Sequence, residues 1–403
     1  MIEQKKFSML NLGLFSVLIG DQLLMFAIPL LVFKISGSFK DAGLAYFIEW
    51  LPRVLTLPFT GHLIDRFGSR FAILLADLTK ALASIIVFLV YLSGHVPSAL
   101  FLGLYGSITS LGNGQTILAI ETLISHRFSG EELANRQSKF LRIDQFSMII
   151  GPLFAIVLTY FLSLHNMLGL SAIFYLFNFF LIRQILKKQS EQQNHAEHIK
   201  FSLSFKNALK ELKSKPVLLV FCLMAMCNNL LAGIVEAAAA GVVTGNFNLP
   251  DQYFSIITLS AGLAGAFALS IHPYLVRRFS LLNVSRFAYF VLALSSFSIS
   301  FTKTFIGFSG LFALSIASTL FIGVYFRTKR GEIIAKQKLG QTVSIMTLIN
   351  QSTLPIAGLM VAWAQSLQNP QSLCWIPGLG IFLFGFVIFF ARAKQLIPVG
   401  ATK

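Results

Sequence analysis

The sequence predicts an all-α polytopic membrane protein with twelve transmembrane helices arranged as two six-helix pseudo-repeats. Three observations lead there. Only 12% of the 403 residues are charged, about half of the roughly 25% expected of a soluble domain. The chain is 55% hydrophobic with 41 phenylalanines and a mean hydropathy of +0.74, and its apolar stretches reach the ~20 residues a spanning helix needs. Finally, motifs in the first half echo at matching places in the second.

Taken in order, the first apolar run follows Lys5 and Lys6, as a signal peptide's would. It is too long for one, holds Asp21 near its centre and lacks a small-x-small cleavage site, so it reads as a retained first span. The first six spans fall near 8–34, 41–64, 71–93, 98–123, 139–162 and 168–187. A polar segment rich in Lys, Gln and Glu follows, and its latter part, FSLSFKNALKELK, places Phe205, Leu209 and Leu212 at helical spacing, as a surface-lying helix would. The second six spans fall near 216–244, 253–276, 282–302, 305–326, 342–366 and 372–392. The expected organisation is an N-terminal bundle over 1–187, a cytoplasmic linker over 188–215 and a C-terminal bundle over 216–403.

The echoes support the two-bundle plan. Leu133-Ala134-Asn135 with Gln145 recurs as Leu339-Gly340-Gln341 with Gln351 at the same separation, and Arg66-Phe67-Gly68 has a counterpart in Arg278-Phe279-Ser280. Parallel six-helix repeats of this kind are a plan of secondary transporters.

The net charge of +16 resides in the gaps between apolar runs. It therefore reads as a topology signal placing both termini in the cytoplasm, and it leaves no basic domain for nucleic acid. Cys222, Cys227 and Cys374 sit within apolar runs and form no CxxC pair, so neither a disulfide framework nor a metal knuckle is expected. No histidine stands with carboxylates at metal-ligand spacing. Walker, GxSxG and dinucleotide motifs are absent, so no catalytic residue and no cofactor is expected, and energy should come from an ion gradient.

The stretch 61-GHLIDRFGSRFAILLADLTK-80 concentrates charge between two apolar runs. Gly61 offers close helix approach, Gly68 a tight turn or positive φ, and Asp65 can meet the positive end of a neighbouring helix. Arg70 is expected to reach Glu121 at the end of the fourth span, and with Arg66 these residues form a candidate gate. Gly61-x-Leu63-x-Asp65-Arg66-x-Gly68-x-Arg70 resembles the signature loop of the major facilitator superfamily, between its second and third helices. In the degenerate second copy, Arg277 stands where Asp65 does.

A narrower resemblance joins GDQLLMFAIPLLVFKISGSFKDAGL, PFTGHLIDR and GEELANRQSKFLRIDQFSMIIGP to the macrolide-efflux and siderophore-export branch of that superfamily. It implies ion-driven movement of amphipathic organic molecules, usually outward. Gly20-Asp21-Gln22 and Arg142-Ile143-Asp144-Gln145 are also similar to ferroportin-type iron exporters.

Charges at membrane depth are costly and mark function. Asp21 has no basic neighbour on its own helix and is the first proton-coupling candidate; Glu236, in the other bundle, is the second. Glu49 and Arg53 pair at i, i+4, with Arg53 suited to an anionic substrate, while Asp77 and Lys80 read as scaffold. Gln22, Asn113, Gln115, Asn228, Asn229, Asn350 and Gln351 complete the candidate substrate path.

The expected function is secondary active transport, by alternating access across a bacterial inner membrane, of a siderophore or drug, as proton-coupled export. A siderophore importer of the same fold and a ferroportin-like metal exporter are the alternatives. The expected partners are a small-molecule substrate, the proton gradient and the lipid bilayer, with the chain acting as a monomer.

Overall fold

In the computed structural model the described residues are 2–128, 130–185, 209–364 and 369–390. All regular structure there is helical: α1 (Ile2–Ser36), α2 (Phe39–Phe67), α3 (Ser69–Leu92), α4 (Ala99–Arg127), α5 (Gly130–Leu158), α6 (Leu164–Ile185), α7 (Pro216–Gly241), α8 (Gln252–Phe279), α9 (Leu281–Ile299), α10 (Phe305–Ile333), α11 (Lys336–Gln351), α12 (Thr353–Trp363) and α13 (Trp375–Phe389). Helix α7 runs on into a π-helical turn, Val242–Asn246, and a 3₁₀ turn, Pro370–Cys374, leads into α13. Residues 186–208, which include most of the linker expected over 188–215, lie outside the described residues.

Local chemistry sets several boundaries. Ser38, Ser98 and Thr304 each accept a backbone N–H in the first turn of α2, α4 and α10, the usual remedy for orphan donors at a helix start. Pro29, Pro152 and Pro273 lie inside α1, α5 and α8, as spanning helices tolerate.

The α2–α3 and α8–α9 junctions share an unusual backbone. Gly68 has φ 83° and ψ 155°, and Ser280 has φ 69° and ψ 153°. The amide of each bonds back to the preceding helix, to Ile64 O at 2.8 Å and to Val276 O at 3.0 Å. This region of backbone space is almost reserved for glycine, yet the α8–α9 junction holds it with a serine.

Ten helices among the described residues are long and apolar enough to cross a membrane. Twelve were expected. The two long helices that do not qualify are α2 and α4, each 29 residues. Both carry charged or amide residues along their length: Glu49, Arg53, Asp65 and Arg66 on α2, and Asn113, Gln115 and Glu121 on α4. The chain is thus an all-α, multi-pass membrane protein.

Two compact units divide it: Met1–Ala196 with Val243–Leu259, and Glu197–Val242 with Ser260–Lys403. In the first, α1 and α3 pack on α6 and α2 packs on α4. Phe7, Leu14, Leu18, Ile73, Ile120, Leu123 and Ile182 form one apolar core. Gly103 lets α4 approach α2, since a Cβ there would stand 3.1 Å from the Ala45 Cα. In the second unit α7 packs against α12 and α13, and α9 against α10 and α13. Gly378 lies so close to α9 that a Cβ would meet the Phe297 backbone N at 3.1 Å. Large apolar side chains such as Leu82, Ile86 and Leu89 on α3 and Phe287 and Leu294 on α9 are exposed, as expected where lipid replaces water.

Candidate functional site

The first unit contains a buried polar cluster built by α1, α3, α4 and α6. On α3, Asp77, Lys80 and Ser84 recur at spacings of three and four, which aligns them on one helical face. Leu75, Leu78, Leu82 and Ile86 occupy the exposed face. On α6, Ser171, Tyr175 and Asn178 form the matching stripe, and all six of these side chains are buried.

Lys80 Nζ donates to Asp21 of α1, 3.2 Å from Oδ1 and 3.4 Å from Oδ2. The Tyr175 hydroxyl donates to Asp21 Oδ1 at 2.7 Å, and Lys80 Nζ lies 4.3 Å from the centre of the Tyr175 ring. Asp77 Oδ2 accepts from Asn178 Nδ2 at 2.6 Å. Beyond Lys80, the Ser84 hydroxyl stands 2.7 Å from the Tyr105 hydroxyl of α4 and 3.3 Å from that of Ser171. Lys80 and Asp77 are 0% exposed and Asp21 6%. An isolated ion at such depth costs several kcal/mol unless paired and hydrogen-bonded, so the arrangement is held by its own electrostatics.

Three glycines make the room. A Cβ on Gly112 would lie 2.7 Å from Lys80 Cγ, one on Gly13 2.1 Å from Asn178 Oδ1, and one on Gly20 3.1 Å from the Tyr175 ring. Each glycine comes from a helix facing the side chain it admits.

The sequence offers Asp21 no cation on its own helix and presents Lys80 as scaffold. The structure supplies one from another helix: Lys80 of α3, 59 residues away, is its partner. Tyr175 and Asn178 carry no sequence signal beyond their helical spacing with Ser171. Gly112, Gly13 and Gly20 offer one that only the neighbouring helices make legible.

At the α2–α3 junction the expected gate is arranged differently. Arg70 forms no ion pair with Glu121 among the described residues. Its Nη2 donates instead to the Arg183 carbonyl at 3.4 Å, in the last turn of α6, where a guanidinium meets the negative end of the helix dipole. Glu121 is half-buried and lies in the field of Asp144 on α5. A Cβ on Gly61 would meet nothing within 4 Å, so close helix approach is not the reason for a glycine there. Arg66 is exposed and its guanidinium stands 5.2 Å from the Phe67 ring. The Asp65 side chain lies outside the described residues.

The remaining candidates form separate groups. On α2, Arg53 lies 4.7 Å over the Trp50 ring, and Glu49 packs where a Cβ on Gly106 would be 3.3 Å away. Gln115 Nε2 holds the Ala72 carbonyl at 2.8 Å. The Asn113 Oδ1 is buried and accepts no hydrogen bond among the described residues, while Gln22 occupies the space that Gly151 leaves open. In the second unit, Asn228 Oδ1 is 2.7 Å from the Thr319 hydroxyl. Asn229 Nδ2 donates to the Asn350 carbonyl at 3.0 Å, and the Cys222 thiol to Asn350 Oδ1 at 3.0 Å. Gln351 Oε1 is buried without a donor among the described residues, and Glu236 is half-buried on α7 beside Ala237. No group of three or more His, Cys, Asp or Glu side chains able to hold a metal ion occurs among the described residues.

A sequence profile of the Major Facilitator Superfamily matches residues 10–358. No curated protein matches the sequence closely enough to count as a relative. Among solved structures, the chain is similar to a bacterial homologue of the iron transporter ferroportin in its inward-facing state, at 19% identity and TM-score 0.74 over 97% of this chain and 99% of that one. The nucleoside transporter NupG, in a mutant form, is similar at 11% identity and TM-score 0.78, over 96% and 100%. A bacterial metal transporter is similar at 17% identity and TM-score 0.71, over 97% and 99%. At these identities the likeness speaks for fold. The chain belongs to the Major Facilitator Superfamily and is a secondary transporter, not an enzyme, that carries a small molecule across a membrane.

Proposed function

We propose that the chain is a proton-coupled exporter of a metal cation, of the ferroportin-like kind. What carries the reading is the full-length similarity to a ferroportin homologue and to a bacterial metal transporter. Those likenesses agree with the short runs Gly20-Asp21-Gln22 and Arg142-Ile143-Asp144-Gln145. Glu121 and Asp144, half-buried in one another's field on α4 and α5, supply hard oxygen donors of the type divalent cations take.

In this reading α2 and α4 are the two further spans, giving twelve in two pseudo-repeats over 1–187 and 216–403. The shared backbone at Gly68 and Ser280 supports the repeat. Both termini face the cytoplasm of a bacterium, by the distribution of Lys and Arg. The protein works as a monomer in the inner membrane by alternating access. The α2–α3 loop, with Arg70 on α6, serves as the cytoplasmic gate. The buried cluster around Asp21 and Lys80, and Glu236 in the second bundle, handle the proton.

A second reading, export of an amphipathic organic anion such as a siderophore, is favoured by α2. There Tyr46, Trp50 and Arg53 stand one turn apart, with the Tyr46 and Trp50 rings 6.0 Å apart and Arg53 over Trp50.

The test uses the full chain in liposomes with an imposed pH gradient, reading Fe(II), Mn(II) and Co(II) by an encapsulated chelating dye. The expected result is gradient-driven metal flux that Asp144→Asn and Glu121→Gln lower at least tenfold. Absence of metal flux, together with gradient-driven movement of a ferric siderophore, overturns the metal reading in favour of the second.

A further inference from the structure

The buried cluster holds two carboxylates, Asp21 and Asp77, and one ammonium, Lys80. With both acids ionised, −1 −1 +1 leaves one uncompensated negative charge inside an apolar bundle, which is costly. The hydrogen bonds divide the acids unequally. Asp21 accepts from two donors, Lys80 and Tyr175, at 2.7–3.4 Å, as an ionised carboxylate should. Among the described residues, Asp77 accepts on Oδ2 alone, and its buried Oδ1 meets no donor. The amide that serves Asp77 has the same defect, since Asn178 Oδ1 is also buried without a donor among the described residues. Two neighbouring orphan acceptors and one missing positive charge have one common remedy.

We infer that the Asp21–Lys80–Asp77 cluster is a proton-binding site whose single exchangeable proton resides on Asp77, not on Asp21. The proton makes the cluster neutral and turns Asp77 Oδ1 into a donor beside Asn178, an acid and an amide paired side by side. When it leaves for water, Asp77 becomes a second carboxylate competing for Lys80, one turn along the same helix. That competition weakens the Lys80–Asp21 link between α3 and α1. The groups that face the site are Asp21 from α1, Lys80 from α3, Tyr105 from α4, and Tyr175 and Asn178 from α6. Arg53 of α2 acts on Asp21 from further off, with Glu49 one turn before it.

The inference deepens the proton-coupled reading above. Its test needs no substrate, so its failure and failure of metal transport are separate results. Infrared difference spectra of the purified full-length protein at pH 7, wild type against variants, read the carboxylic-acid C=O stretch. The expected result is one such absorption in the wild type that disappears in Asp77→Asn. It moves to higher frequency in Asn178→Ala, which removes the hydrogen bond to that carboxyl, and stays in place in Tyr175→Phe. Should Asp77→Asn not fold, the other two variants decide alone. A wild type lacking the absorption, or one whose absorption moves in Tyr175→Phe and not in Asn178→Ala, overturns the assignment, the second by placing the proton on Asp21.

Discussion

Replacing Lys80 with methionine removes the ammonium and keeps most of the stem. Lys80 is fully buried, bonds both oxygens of Asp21 and lies 4.3 Å over the Tyr175 ring. Breaking a buried pair by removing one member costs about 3–5 kcal/mol, because the remaining charge is left uncompensated. The pair itself is near neutral against an apolar replacement of similar volume. Asp21→Asn combined with Lys80→Met should therefore recover most of that loss. The assay is the free energy of unfolding of the detergent-solubilised protein, measured for both single variants and the double variant and closed as a cycle. A coupling of at least about 2 kcal/mol between the two positions is expected, within the 0.5–3 kcal/mol range of contacting residues. A single-variant cost below ~1 kcal/mol, or a double variant as unstable as the sum of the singles, refutes the claim that burial and pairing hold the site.

Gly112→Ala sets a Cβ 2.7 Å from Lys80 Cγ. It should destabilise by about 1–3 kcal/mol as overpacking and lower proton-driven flux, whereas Gly310→Ala, where a Cβ meets nothing within 4 Å, should lower neither. Ser280→Gly relieves a backbone conformation that costs a non-glycine residue about 1–3 kcal/mol. It should raise the unfolding free energy, while Gly68→Ala at the matching junction should lower it by a similar amount; equal behaviour of the two would contradict the shared geometry. Glu211 pairs with Lys215 at 2.5 Å and Lys338 at 3.1 Å, and these hydrogen bonds hold its carboxyl below the ordinary glutamate range. Its contribution is then fully present above about pH 4.3, the unfolded value, and is lost as pH falls through the lower folded one. Both lysines are partly exposed, so the effect is about 0.5–1 kcal/mol. Stability curves of wild type and Glu211→Gln should separate above that pH and converge in acid; a constant offset in acid would contradict the pairing.

Much of the helical order was readable because it depends on local quantities. Apolar runs of about 20 residues and breaks at charged loops need no knowledge of neighbours. The α2–α3 junction was readable for the same reason: a glycine between two apolar helices marks a backbone that other residues avoid, and Gly68 adopts it. Ser280 shows the limit, since nothing in a serine announces φ 69°. The expectation that Arg70 meets Glu121 rested on both standing near helix ends. The structure offers Arg70 a carbonyl at the end of α6 instead, and places Glu121 in the field of Asp144. Gly61 misled in a simpler way, because its type suggested contact where there is open space.

By itself, then, the sequence determined that the chain is a helical membrane protein, and that Asp21 is a charge needing an explanation. Only the tertiary structure decided what that explanation is. In a medium of low dielectric the fate of a charge depends on the few ångströms around it, which are set by how helices rotate against each other. That rotation brings Lys80 of α3 and Tyr175 of α6 to Asp21, opens their space with glycines on α1 and α4, and leaves Asp77 short of one donor.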